Sequence, residues 1–431
     1  MMKRVIAILA VSAIVTTAVY AQAAVAGLVE TRFSVLRGNL SEDDGNLYMG
    51  GLGGAGGAGA IGAAWIQLSG TNPDGTLGGL FRLRNTDIVR RQEGLDHWSD
   101  GGGPWFHRVF AWWRPIEQMR IWLGVDQDGM FDTAHFAGWG FHQGDNDYMF
   151  NHHWDFWRRV FPGNWDSFGM AFSFANFGVD GLAVNLVLPT GARNWPQANN
   201  VRVTQARPIL EMLAGFRLHS TFAIPGAGTL QFTYNAPGGI MNIDGSLPGP
   251  NSTALNQYSP EWGDATNFGQ LGLSFLLTAL DFGDILFGGA MIIPDSDHYM
   301  DLHLGAALDV ANIADIMGLR FRVGTQIQGG DIGADPLIIG NIMPIFALGP
   351  GSLMFDIGLT MQIAEEFDSE HHLGWSVKPV YRLPLASGAF SIGLHLSSGI
   401  GGNDAPLGGQ QGLWGGNDVH LHIPMLLRFS F

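Results

Sequence analysis

Residue types able to do chemistry are unevenly placed in this chain, and several of their spacings copy reactive motifs. Gly51-Leu52-Gly53-Gly54-Ala55-Gly56 satisfies the GxGxxG pattern, and Gly57, Gly59 and Gly62 meet it again. A dinucleotide site needs a strand before that turn, a helix after it and an acidic residue about twenty positions on. Asp74 lies near that distance, but Pro73 and Gly75 set it in a turn, and no helical period follows Gly62. The run reads as glycine-rich sheet or hairpin, where neighbouring groups pack closely.

The other spacings also fall short of a reaction. His420 and His422 share one strand face, and His152-His153 and His371-His372 are adjacent pairs, but two imidazoles without a third ligand hold a metal weakly. Asp126-Gln127-Asp128-Gly129 opens like a calcium loop and lacks the closing glutamate, which leaves a turn. His395 and Ser397 share a face, and Asp297-His298 sits in a short connection, yet neither belongs to a recognisable triad. The absence of cysteine removes thiol nucleophiles, thiolate metal sites and disulfides. The sequence therefore predicts no cofactor, no metal and no enzymatic activity.

Arginine is the sharper signal. Arg32, Arg82, Arg84, Arg120, Arg217, Arg320, Arg322, Arg382 and Arg428 all occupy the polar register of alternating segments. One reading pairs them with Glu30, Glu211, Asp301, Asp309 and Asp356 as solvated lining of no specific duty. The other makes them a basic wall that sets the selectivity of a pore. Both describe a polar interior.

Period two supplies the elements that must position these groups. Leu421, Ile423, Met425, Leu427, Phe429 and Phe431 alternate with His420, His422, Pro424, Leu426, Arg428 and Ser430. Successive strand residues face opposite sides, so one face here is apolar and the other carries His, Arg and Ser. Leu319 to Ile327, Leu353 to Ile363, Leu302 to Val310 and Thr229 to Asn235 repeat the pattern. Further strands read at 28–37, 58–68, 76–84, 119–125, 168–177, 179–188, 209–219, 268–278, 284–293, 372–383 and 388–398. Turn clusters such as Asn72-Pro73-Asp74-Gly75 and Gly349-Pro350-Gly351 separate them. Sixteen strands are clear. The stretches 104–113 and 337–347 are additional candidates, which leaves fourteen to eighteen open.

Composition points the same way. Hydrophobic residues make up 46% and charged ones only 14%, which is low for a soluble protein, yet no later segment has the eighteen apolar residues of a membrane helix. A transmembrane barrel predicts both, since only alternate residues face lipid. Residues 1–23 read as a signal peptide: Lys3 and Arg4, an apolar stretch from Val5 to Val19, then small residues at Ala21 and Ala23. Cleavage follows Ala21 or Ala23, with Ala26 a third option. Without Lys3 and Arg4, twenty basic residues face 38 acidic ones, a net charge of −18 that disfavours nucleic acid.

The final segment, ending on Phe431, resembles the closing strand of bacterial outer-membrane β-barrels. The resemblance implies an all-β fold: a transmembrane antiparallel barrel of about 16 strands spanning 24–431, with short periplasmic turns and long extracellular loops. It implies a bacterial outer-membrane location, with outer-membrane lipid and the barrel assembly machinery as partners. In that family the last strand is the insertion signal, here Leu427, Phe429 and Phe431. A porin-like channel follows, passing small hydrophilic solutes by diffusion, with a homo-trimer as one assembly. Its candidate lining is the nine arginines with Asp301, Asp309 and Asp356. A surface adhesin with a filled pore and a fatty-acid-type transporter are the alternatives. Neither the omptin proteases nor the outer-membrane phospholipases share motifs with this chain.

Three regions break the rhythm. The segment 92–166 carries nine of the fourteen Trp and six of the fourteen His, and reads as a long loop or a constriction folded into the pore. Residues 194–205 and 239–267 read as polar loops.

Overall fold

A computed structural model describes residues 22–40, 48–51, 62–85, 105–126, 167–176, 178–189, 216–235, 267–294, 300–314, 317–329, 337–362, 373–398 and 419–431. They form a closed antiparallel β-barrel in which each strand pairs with its neighbours in sequence. The first half of the wall runs β1 (Gln22–Asn39), β2 (Tyr48–Gly51 with Gly62–Thr71), β3 (Leu77–Asn85), β4 (Trp105–Ile116), β5 (Met119–Asp126), β6 (Ser167–Ala175), β7 (Leu182–Pro189), β8 (Arg217–Ile224) and β9 (Gly228–Asn235). The second half runs β10 (Asn267–Leu277), β11 (Asp284–Pro294), β12 (Met300–Ala314), β13 (Met317–Gly329), β14 (Leu337–Leu348), β15 (Gly351–Gln362), β16 (Leu373–Leu385), β17 (Gly388–Gly393 with His395–Ser398) and β18 (Val419–Ser430).

Closure comes from β1 against β18, in register from Leu28 opposite Ser430 to Asn39 opposite His420. The ring leaves no sheet edge, which a strand surrounded by lipid cannot afford. Among the described residues the barrel has eighteen strands, two more than the sequence count. The two additions are the candidate stretches, as β4 and β14. Residues 105–126 are thus a hairpin of the wall, so the Trp- and His-rich segment is only partly a loop; 92–104 and 127–166 lie outside the described residues. So do 194–205, and 239–267 except for Asn267.

Two strands are described in two pieces. In β2 both pieces pair with the same side of β1, Gly51 opposite Ser34 and Gly62 opposite Thr31, and residues 52–61 between them lie outside the described residues. The described wall there is 62–71, and 58–61 of the expected 58–68 lie outside the described residues. In β17 the ladder breaks at Leu394 because proline flanks it on both sides. Pro379 of β16 falls opposite Leu394, and Pro424 of β18 falls opposite Gly393, and proline has no N–H to donate. Leu394 keeps one bond, donating to the Pro379 carbonyl at 2.9 Å.

Connections of two to six residues join the strands at one end, where Phe431 also lies, and those at the other end run to forty. In the first short turn Gly75 adopts φ 68° and donates to the Asn72 carbonyl, while the Asn72 side chain accepts from Leu77 N–H at 2.8 Å.

Alternation sorts the side chains as a membrane barrel requires. Val29, Phe33, Val109, Leu123, Phe232, Leu273, Phe321, Ile357, Leu359 and Phe429 are exposed on the outer face. So large an apolar exterior is stable against lipid and not against water. Glu30, His219, Gln231, Asn341, Asp356 and Lys378 point inward and are buried. Residues 1–21, most of the expected signal peptide, lie outside the described residues. Cleavage after Ala23 would leave β1 nearly whole, since only Gln22 opposite Thr71 and Ala23 opposite Gly70 precede that point.

Candidate functional site

The inner wall divides into a charge-paired arc and an aromatic arc. On the first, Arg320 of β13 donates from Nε to Asp309 of β12 at 3.1 Å. Two residues further along β13, Arg322 donates to Asn341 Oδ1 at 3.0 Å, and Asn341 Nδ2 donates to Asp356 Oδ1 at 2.9 Å. Lys378 stands directly across from Asp356 in the β15–β16 register. This chain crosses β13 to β16, and His395 continues it, its ring edge-on to His422 with centroids 5.5 Å apart. At the seam, Arg428 meets Glu30 at 2.7 Å across β18 and β1.

The aromatic arc lies on β2 to β5. The Arg82 guanidinium sits 4.4 Å from the Trp65 ring centre, and its Nε donates to Gln67 at 2.8 Å. Arg108 lies 5.6 Å from the Phe110 ring. Arg120 lies over two indoles, 4.3 Å from Trp112 and 5.1 Å from Trp122. All these groups share the inward register, since Arg82 pairs with Arg108 and Trp112 with Trp122, while Val109, Trp113 and Leu123 face out.

Of the other arginines read from the sequence, Arg217 shares the inward parity of His219, and Arg382 that of Val380. Arg32 and Arg84 lie on β1 and β3, and Asp301 on β12, as backbone positions whose side chains are not described. Glu211 lies outside the described residues. Leu427, Phe429 and Phe431 are on the outer face of β18 and beyond it, and the Phe431 backbone exchanges hydrogen bonds with Gly27 of 2.7 and 3.0 Å. Among the described residues no three His, Asp or Glu side chains are grouped as metal ligands.

Alternation did not reveal two apolar clusters on the inner wall. Phe110, Ala171 and Val187 pack with Leu80, Trp112 and Trp122 on one side. Met343, Met354, Val380 and Leu426 pack with Ile345 on the other. Both sit four to seven residues from the short-turn end. The signal for them is the break in alternation itself: Phe110-Ala111-Trp112-Trp113 and Ile342-Met343 are apolar on both faces.

No family model and no curated relative matches the sequence. Many solved structures resemble the chain at low identity. OmpF of Salmonella typhi, in complex with daunomycin, is 10% identical with a TM-score of 0.47, covering 95% of this chain and 98% of its own. An anion-selective porin from Comamonas acidovorans is 13% identical with a TM-score of 0.45, covering 95% and 100%. OccK11 (OpdR) of Pseudomonas aeruginosa is 10% identical with a TM-score of 0.49, covering 95% and 96%. Such likeness transfers no property of those proteins to this chain; the barrel rests on its own closed ring of pairings.

Proposed function

We propose that this protein is a passive diffusion channel of the bacterial outer membrane for small hydrophilic solutes. The observation that carries the reading is the inward placement of charged and polar side chains within a closed wall whose exterior is apolar. A barrel built only as an anchor or a rigid post needs no such lining, because an apolar interior is easier to pack. Lined by Arg, Lys, Asp, Asn and His, the interior offers hydrogen bonds that replace a solute's water. The signal-like leader and the terminal Phe431 support the location and delivery by the assembly machinery. A homo-trimer is one assembly open to such a barrel. No cofactor and no energy source enter the proposal.

The test is single-channel conductance of refolded protein in a planar bilayer, with the reversal potential measured in a salt gradient. Discrete ohmic steps are expected, and their ion preference should weaken as salt rises, because screening shortens to about 10 Å at 0.1 M. A folded barrel that passes no current would overturn the reading.

A further inference from the structure

We propose that the inner wall where β17 meets β18 carries a site for a divalent transition-metal ion of the zinc type, held by His395 and His422. The two residues are direct cross-strand partners, with ring centres 5.5 Å apart and ring planes at 84°. An ion about 2.1 Å from one nitrogen of each ring, at a tetrahedral angle, would hold the ring centres about 5–5.5 Å apart. The observed spacing already matches. Sequence spacing alone pairs His422 with His420, two residues along one strand. Two steps along a strand separate side chains by about 6.7 Å, whereas direct partners across a ladder stand about 4.5–5.5 Å apart at Cβ. The ladder therefore gives His422 a closer imidazole than its own strand does.

His395 is placed to take a ligand. It is 7% exposed, and its Nε2 has no hydrogen-bond partner among the described residues. A buried ring nitrogen left in that condition is unfavourable, and a bound ion would relieve it. Room for the nitrogen comes from Gly393, the preceding inward residue of β17. A Cβ at that position would lie 2.9 Å from Nε2 and 3.1 Å from Val380 Cγ2.

The donor set decides the ion. Both donors are imidazole nitrogens, which suit Zn2+, Ni2+ and Cu2+, whereas Mg2+ and Ca2+ take oxygen ligands. Water completes the coordination, as in open rather than closed zinc sites. The opposing contribution is Lys378, whose charge acts on His395. Asp356 lies across from Lys378 in the ladder, and its carboxylate offsets that charge. The residual repulsion acts across a strand spacing of about 4.8 Å, while coordination acts at about 2.1 Å. Coordination prevails.

The site stands apart from the channel reading, and its test does not involve conduction: titration calorimetry of the untagged, folded protein in detergent micelles with Zn2+ and with Mg2+. Zn2+ is expected to fill one site at least about a hundredfold more tightly than Mg2+. H395Q and H422Q should each lose at least about tenfold in that affinity. His422 is only half-buried, so H422Q keeps the test decisive should H395Q fail to fold. H152Q/H153Q removes a histidine pair elsewhere in the chain and should leave the affinity unchanged. Unheated gel mobility reports folding of each variant. Zn2+ affinity no greater than that for Mg2+, or full Zn2+ affinity in folded H395Q or H422Q, would overturn the site. An equal loss in H152Q/H153Q would overturn it as well, because the ion would then be held elsewhere.

Discussion

At the scale of single residues, the interior is held by ion pairs whose value depends on neither partner being lost. Glu30 is 2% exposed and meets Arg428 at 2.7 Å, across the seam where the first and last strands close the ring. Removing one member of a buried pair strands the other, at about 3–5 kcal/mol, whereas removing both costs much less. Glu30→Ala and Arg428→Ala should therefore each lower the stability of the folded barrel by about 3 kcal/mol, with the double variant well short of their sum. Denaturant unfolding of the refolded protein measures all three, and additive losses would show that the pair is solvated. The same logic applies to the chain from Arg322 through Asn341 to Asp356. Sequence reading identified the end members as inward-facing and could not see that Asn341 joins them, because a lone Asn in a strand has no distinguishing spacing.

At the scale of elements, period two located most of the wall and failed where both faces are apolar. The outer row of β4, Val109, Ala111 and Trp113, stands against inner Phe110 and Trp112, so hydrophobicity hardly alternates. In β14 outer Ile342 adjoins buried Met343 and Ile339. Those are the two strands by which the ring exceeds sixteen. The arginine ladder was legible as a register, but its indole platform was not: assigning polar to inside treats every inner Trp as an outer one.

The β1–β18 junction gives a test at this scale. A Cβ on Gly27 would collide with the Phe431 ring, which lies on the outer face above it. A glycine in a strand forfeits stability, and an aromatic ring laid over it restores buried area. Gly27→Ala should displace that ring and destabilise the folded barrel by about 1 kcal/mol, while in a Phe431→Ser background the same change should be neutral or mildly stabilising. Phe431→Ser alone should lower the amount of barrel assembled in the outer membrane, read as heat-modifiable protein in membrane fractions. A penalty for Gly27→Ala that is the same in both backgrounds would mean that the ring does not rest there.

At the scale of the whole molecule, the girth of the ring and the burial of its lining together give an expectation for the bore. Eighteen strands about 4.8 Å apart and tilted about 40° make a ring roughly 35 Å across between backbones. Inward side chains reach only part of that distance, so an open tube of such girth would wet the long polar ones except where neighbouring wall side chains cover them. Ala171 and His219 on one side, and Asp356 and Val380 on the other, are 0% exposed. These positions fall on β6, β8, β15 and β16, nearly opposite one another around the ring, so the enclosure is not confined to one arc. On the channel reading, this enclosure predicts a path narrower than the strand count allows. Halving a bore cuts its cross-section about fourfold, and a narrow path also brings solutes within reach of fixed charge. Single-channel conductance should therefore fall at least about fourfold below that of an electrolyte cylinder filling the ring, and ion preference should be strong at low salt. Conductance matching the open cylinder, with little preference between cation and anion, would mean that the inner wall is wetted in the membrane and that selectivity does not arise from its charges.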